Sequence, residues 1–122
     1  IQNLAEEAQK QLQNNTGLNL VIAANYGGQW DIVEAAKKIA AKSVNGEIEP
    51  ESIDKNVFGG YTALAQYPRV DLLIRTSGEV RISNFLLWDI AYSELYFCDT
   101  LWPDFDANEL DIAIKNFHSR DR

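Results

Sequence analysis

Two short apolar runs constrain this chain more than anything else in it. In residues 18–24 apolar side chains fall on both parities apart from Asn19, and residues 70–74 form a second such run. Strands with apolar residues on both faces are expected in a parallel sheet covered by helices on either side. The segments between them read as helices. Ile1, Leu4, Ala5, Ala8 and Leu12 recur at helical spacing and stop at Asn14-Asn15-Thr16-Gly17. After the turn Asn25-Tyr26-Gly27-Gly28, Asp31 is placed to cap a helix whose stripe is Ile32, Val33, Ala36, Ile39 and Ala40, ending near Asn45-Gly46.

Pro50 opens a shorter helix through Ile53 and Val57, which Gly59-Gly60 breaks. A helix is expected over about 84–92 and a third short strand over 94–98. Asp106 with Glu109 three residues on makes a capping box for a last helix, whose stripe is Leu110, Ile112, Ala113, Ile114 and Phe117. No repeat, linker or low-complexity segment interrupts the chain, so residues 1–122 read as one unit. The expected fold class is α/β: part of a parallel sheet flanked by helices, three strands with four or five helices, consistent with part of a larger doubly wound domain.

Composition bears on partners. A formal net charge of -7 disfavours broad binding to nucleic acid or to an anionic membrane. From Phe85 onward eight acids face three basic residues, so Arg75 and Arg81 form a cationic island beside an acidic tail. The single Cys98 excludes an intrachain disulfide and fits a reducing compartment. With no apolar run of membrane-span length and no secretory leader, a cytoplasmic protein is expected. There is no methionine, so the chain is expected to be a processed or excised piece of something longer.

The candidate chemistry lies between the second and third strands, in Arg75-Thr76-Ser77-Gly78-Glu79-Val80-Arg81-Ile82-Ser83-Asn84. A strand-to-helix junction favours phosphate, because free backbone N–H groups and the positive end of a helix dipole face outward there. Arg75 and Arg81 read either as surface arginines of a polar loop or as bidentate donors to phosphate oxygens. Ser83 or Asn84 caps the following helix or donates to an oxyanion, and Glu79 orients an arginine or reaches a metal-bridged ligand through water. Glu94, in an apolar neighbourhood, is a solvent-facing helix end or a carboxylate that shares a divalent cation with diphosphate oxygens.

Other candidates have plainer readings. The turn at Gly27-Gly28 stands where ligands bind in open α/β sheets, yet one glycine pair is a weak motif, and neither a dinucleotide fingerprint nor a P-loop is present. His118 reads as a surface residue and Cys98 as a buried small hydrophobe. Too few Cys and His are available for zinc. Trp30, Trp88 and Trp102 read as core.

Asn25-Tyr26-Gly27-Gly28, Arg75-Thr76-Ser77-Gly78-Glu79, Arg81-Ile82-Ser83-Asn84-Phe85-Leu86-Leu87-Trp88, Glu94-Leu95-Tyr96-Phe97 and Leu101-Trp102-Pro103-Asp104-Phe105 together resemble the carboxyl-terminal half of the cis-prenyltransferase family, most nearly its bacterial undecaprenyl diphosphate synthase branch. The resemblance covers nearly the whole chain. It implies condensation of isopentenyl diphosphate units with farnesyl diphosphate in cis configuration, giving undecaprenyl diphosphate as the carrier lipid for cell-wall polymers. Carried over by position, Arg75, Arg81 and Ser83 hold the diphosphate of the isopentenyl unit, Glu79 supports that loop, and Glu94 helps to place magnesium (Mg2+). The family fold encloses an apolar tunnel and pairs as a homodimer.

Two departures qualify that picture. Gln29 stands where the family usually has arginine, and the family's D-G-N-G-R-W motif with its catalytic aspartate does not occur in these 122 residues. No catalytic residue is therefore assigned, and the chain alone is expected to be inactive. The alternative is a non-catalytic accessory subunit of a cis-prenyltransferase, against which the intact arginine loop and Glu94 both argue.

Overall fold

The computed structural model describes residues 2–120. Among them the order is helix α1 (Gln2–Leu12), α2 (Gly28–Val44), α3 (Lys55–Gly59), strand β1 (Leu72–Arg75), β2 (Glu94–Phe97) and helix α4 (Ala107–His118), with single 3-10 turns at Pro50–Ser52 and Trp102–Asp104. β1 and β2 pair in parallel, Leu72 beside Glu94 and Arg75 beside Phe97. Alternation along each strand puts Leu73, Arg75, Leu95 and Phe97 on one face of the sheet and Leu72, Ile74, Glu94 and Tyr96 on the other. This is the α/β arrangement expected from the apolar runs, with a smaller sheet.

Residues 18–24 are not a strand. They have no regular secondary structure and lie outside the sheet, with Leu18 94%, Leu20 78% and Ile22 80% exposed. Their sequence suits a strand covered on both faces, but a strand needs a hydrogen-bonding neighbour, and neither β1 nor β2 supplies one. Helix α1 forms as its spacing predicts, yet none of its residues is buried; Ile1, the first residue of its expected stripe, lies outside the described residues.

The helix expected over 84–92 is a series of turns instead. Asn84 and Leu86 have φ of 64° and 45°, in the left-handed region that a right-handed helix cannot contain. What remains is local, with Asp89 N–H and Ile90 N–H both donating to Leu86 O, each at 3.0 Å. The helix expected after Pro50 is divided: Asp54 starts a fresh one, its Oδ1 accepting from Asn56 N at 2.9 Å and Val57 N at 2.8 Å. Gly60 ends it, as the glycine pair predicts.

Asp31 does not cap α2. The helix begins at Gly28, which puts Asp31 in its first turn, 4% exposed. Asp31 Oδ1 accepts from Ala63 N and Oδ2 from the Tyr26 hydroxyl, both at 2.8 Å. A buried carboxylate is tolerated there because it is hydrogen-bonded and lies at the positive end of the helix dipole. The buried residues of α2 are Gly28, Asp31, Ala35 and Ile39; of the expected stripe only Ile39 belongs to that line.

The core is thin, with Ala35, Ile39, Leu73, Ile90 and Ala113 as the buried apolar residues among those described. The tryptophans expected inside are not buried: Trp30 is 58% and Trp102 72% exposed, while Trp88 is 36% exposed and leans on Phe58 with ring centroids 4.5 Å apart. Among the described residues, no helix is long and apolar enough to cross a membrane.

α4 lies on the Leu72/Ile74 side of the sheet, where Leu72, Ile74, Ala107 and Leu110 line an open groove together with Trp102 and Phe105. Asp106 caps it as the sequence predicts, Oδ1 accepting from Asn108 N at 2.9 Å and Glu109 N at 3.0 Å. Asp106→Ala should therefore lower unfolding free energy by about 1 kcal/mol, measured by urea denaturation. A change within error would mean that α4 is held by packing alone.

A candidate diphosphate cradle at the carboxyl end of β1

Arg75 is the last residue of β1, half-buried, and its guanidinium has no hydrogen-bond or ion-pair partner among the described residues. The loop that follows is tied at its base to the chain leaving β2. Cys98 N–H donates to Arg75 O at 3.0 Å, Ser77 N–H to Thr100 O and Gly78 N–H to Cys98 O, both at 2.9 Å. Ser77 and Gly78 have φ of 70° and 69°, a reversal for which glycine is the natural choice at the second position. A Cβ on Gly78 would also stand 3.3 Å from Asp99 Oδ1.

Beyond the reversal the loop turns its polar groups on one another. Glu79 forms an ion pair with Arg81, and Arg81 Nε donates to Ser83 Oγ at 3.2 Å. Ser83 (φ 51°) and Asn84 (φ 64°) are both left-handed. Two adjacent non-glycine residues in that region store strain, a common property of binding loops whose surroundings over-determine their shape. Of the residues expected to act together, Glu79, Arg81 and Ser83 thus meet in one short loop, while Arg75 ends the parallel strand that leads into it and forms no hydrogen bond or ion pair with them; the carboxyl end of a strand is where open α/β sheets bind their ligands.

Glu94 does not join them within this chain. It opens β2 beside Leu72, three residues, or about 10 Å, along the ladder from the rung of Arg75 and on the opposite face. Its Oε2 accepts from Arg120 Nη1 at 2.7 Å, and Arg120 Nη2 donates to Leu95 O at 3.3 Å, fastening the end of α4 to the sheet. Among the described residues no group of three or more His, Cys, Asp or Glu side chains is arranged to hold a metal ion. The donor set around Glu94 is a single, already paired carboxylate, which does not by itself fit a metal shared with a diphosphate on the arginine loop.

Asp89 carries a group that sequence reasoning passed over. It lines a cavity of about 530 Å3 with Leu64, Tyr67, Leu87, Trp88 and Tyr92, to which no residue of the arginine loop contributes. Its Oδ2 is buried with no hydrogen-bond partner among the described residues. Burial, and then the negative charge of Asp31, hold its carboxyl above the ordinary carboxylate range. Burial and the hydrogen bond to Asp31 likewise push the Tyr26 hydroxyl well above its ordinary value. His118 is exposed on the last turn of α4, and Cys98 is half-buried.

The chain matches the Prenyltransf family model, which describes undecaprenyl diphosphate synthases, over residues 1–122. It is 52% identical over 122 residues to the farnesyl-diphosphate-specific ditrans,polycis-undecaprenyl-diphosphate synthase of Photorhabdus laumondii, covering all of this chain and 48% of that protein. The synthase of the same description from Vibrio cholerae is 49% identical over 122 residues, with 49% of its length covered. The crystal structure of lavandulyl diphosphate synthase from Lavandula x intermedia, in complex with dimethylallyl diphosphate, superposes with a TM-score of 0.92 at 41% identity over 99% of this chain and 52% of that one. The chain thus spans about half the length of the relatives it matches.

The carboxyl of Asp89 titrates higher in the folded state than in the unfolded one, so its contribution to stability is fully present below the ordinary aspartate pKa and is lost as pH rises through the folded value. Asp89→Asn should match the parent chain at pH 3 and exceed it in stability at pH 7, measured by urea unfolding at both. A parent chain more stable than the variant at pH 7 would show that the charged form is favoured instead.

Proposed function

Because this chain belongs to the cis-prenyltransferase family of undecaprenyl diphosphate synthases, we propose that it forms the isopentenyl-diphosphate side of such an enzyme. The reaction is the condensation of isopentenyl diphosphate units with farnesyl diphosphate in cis configuration, giving undecaprenyl diphosphate. One observation carries the proposal: a strained loop at the carboxyl end of β1 holds Arg81 against Ser83, and Arg75, the strand residue from which that loop departs, has no hydrogen-bond or ion-pair partner among the described residues. Arg75 supplies a bidentate fork that no described residue occupies. Arg81 holds the carboxylate of Glu79, a planar anion in the place a phosphate group would take, so a diphosphate exchanges with Glu79 instead of entering an empty site.

In this reading Ser83 donates its hydroxyl to the same diphosphate, and Glu79 keeps Arg81 oriented until the ligand arrives. The role of the loop is to bind and orient. Fixing the diphosphate end of the isopentenyl unit lets its double bond be aimed at an allylic carbon supplied from the other side of the site. Magnesium, when bound, neutralises diphosphate charge. Glu94 would take part in holding it only once released from Arg120, with the remaining ligands supplied from outside this chain. We further propose function in the bacterial cytoplasm and pairing of two copies, which the exposed Leu18, Leu20, Ile22 and Trp30 support.

Titration calorimetry with isopentenyl diphosphate tests the cradle. Arg75→Ala and Arg81→Ala should each weaken binding about tenfold or more, the scale of a lost charge-assisted hydrogen bond, with Arg81→Lys in between. Unaltered affinity in both alanine variants would overturn the assignment. The chain alone should form no product from farnesyl diphosphate, isopentenyl diphosphate and magnesium, and should gain activity when mixed with an amino-terminal half that carries D-G-N-G-R-W; turnover by the chain alone would show that its own residues complete the site.

A further inference from the structure

The amino end of α2 is capped from 55 residues away. Its own N-cap, Gly27, makes no side-chain cap bond. Asn84 takes over both tasks: its backbone carbonyl accepts from Gly28 N at 2.6 Å and its side-chain Oδ1 from Gln29 N at 2.8 Å. Those N–H groups are among the four that a helix start leaves without intrahelical partners. Because the backbone N–H of Gln29 is the group used, the contact is indifferent to the side chain there.

The rest of the junction is shaped around this capture. A Cβ on Gly27 would lie 2.9 Å from Asn84 Nδ2, and one on Gly28 would lie 2.7 Å from Leu87 Cγ and 3.1 Å from Asn84 O. The glycine pair is therefore what lets the two segments approach so closely. Tyr26 and Phe85 close the flank edge to face, their centroids 5.9 Å apart. Asn84 adopts φ 64°, which asparagine tolerates better than most residues.

We infer that Asn84 is a positioning residue for the diphosphate cradle: by gripping Gly28 and Gln29 it anchors the far end of the arginine loop to α2 and so fixes the left-handed Ser83, whose hydroxyl meets Arg81. The loop is then held at both ends, at its base by the chain leaving β2 and at its tip by α2. Glu79 to Ser83 are the residues suspended between. This rests on the diphosphate reading, and adds to it that the affinity of the arginines depends on a residue that need not touch the ligand.

A double-mutant cycle tests it, with inorganic pyrophosphate as the probe in calorimetry. Asn84→Gly deletes the side chain while suiting the left-handed backbone, and Gly27→Ala pushes the same side chain out of its seat from the opposite direction. Each should weaken pyrophosphate binding about tenfold, the scale of one positioning hydrogen bond, while far-UV circular dichroism reports an intact fold. The double variant should bind no more weakly than Asn84→Gly alone, because the alanine has nothing left to displace. Amide exchange at Gln29 should quicken in both single variants. Affinity equal to the parent in either single variant overturns the inference, as does a double variant weakened by the product of the two. A parent chain that binds no pyrophosphate overturns the diphosphate reading itself, and the parent titration alone tells that failure from the others.

Discussion

The four-rung parallel ladder between β1 and β2 is the interaction on which the rest of this structure depends. Parallel strands cannot be joined by a tight turn, so residues 76–93 must travel from the carboxyl end of β1 back to the amino end of β2. That obligatory crossover contains the arginine loop and the turns that pack Ile90 into the core. The same register separates the two halves of the candidate chemistry, because neighbouring rungs alternate faces. Arg75 lies on the face of Leu73 and Leu95, whereas Glu94 lies on the other and is held there by Arg120.

Crossovers of this kind are usually helical, and this one is not. Its backbone turns left-handed at Ser77, Gly78, Ser83, Asn84 and Leu86, which divides it into short segments, each tied to something else. The first is tied to the chain beyond β2 and the second to the amino end of α2. Helical hydrogen bonding is thereby exchanged for bonds that cross between elements. A loop built this way holds Arg81 in one arrangement, between Glu79 and Ser83.

Several features were legible because they are local. The caps Asp54 and Asp106 act on amides two and three residues away, so composition and spacing suffice to find Asp106. The stops at Gly60 and near Asn45 follow from backbone preference. β1 and β2 are short runs of the right composition between turn residues. The meeting of Glu79, Arg81 and Ser83 is equally local, since each partner lies two residues from the next.

What the sequence by itself determined is therefore the set of elements whose partners lie within a few residues, together with the chemistry of one loop. Tertiary structure decided everything that depends on a distant neighbour. Residues 18–24 have the pattern of a buried strand but acquire a strand's structure only from an adjacent strand, and none of the described residues provides one. Asp31 reads as a cap and is instead a buried acceptor for Tyr26 and Ala63; Asn84 reads as the start of its own helix and instead caps α2. In both cases the side chain can satisfy either role at similar cost, so the choice falls to whichever unpaired N–H group the fold brings within hydrogen-bonding distance.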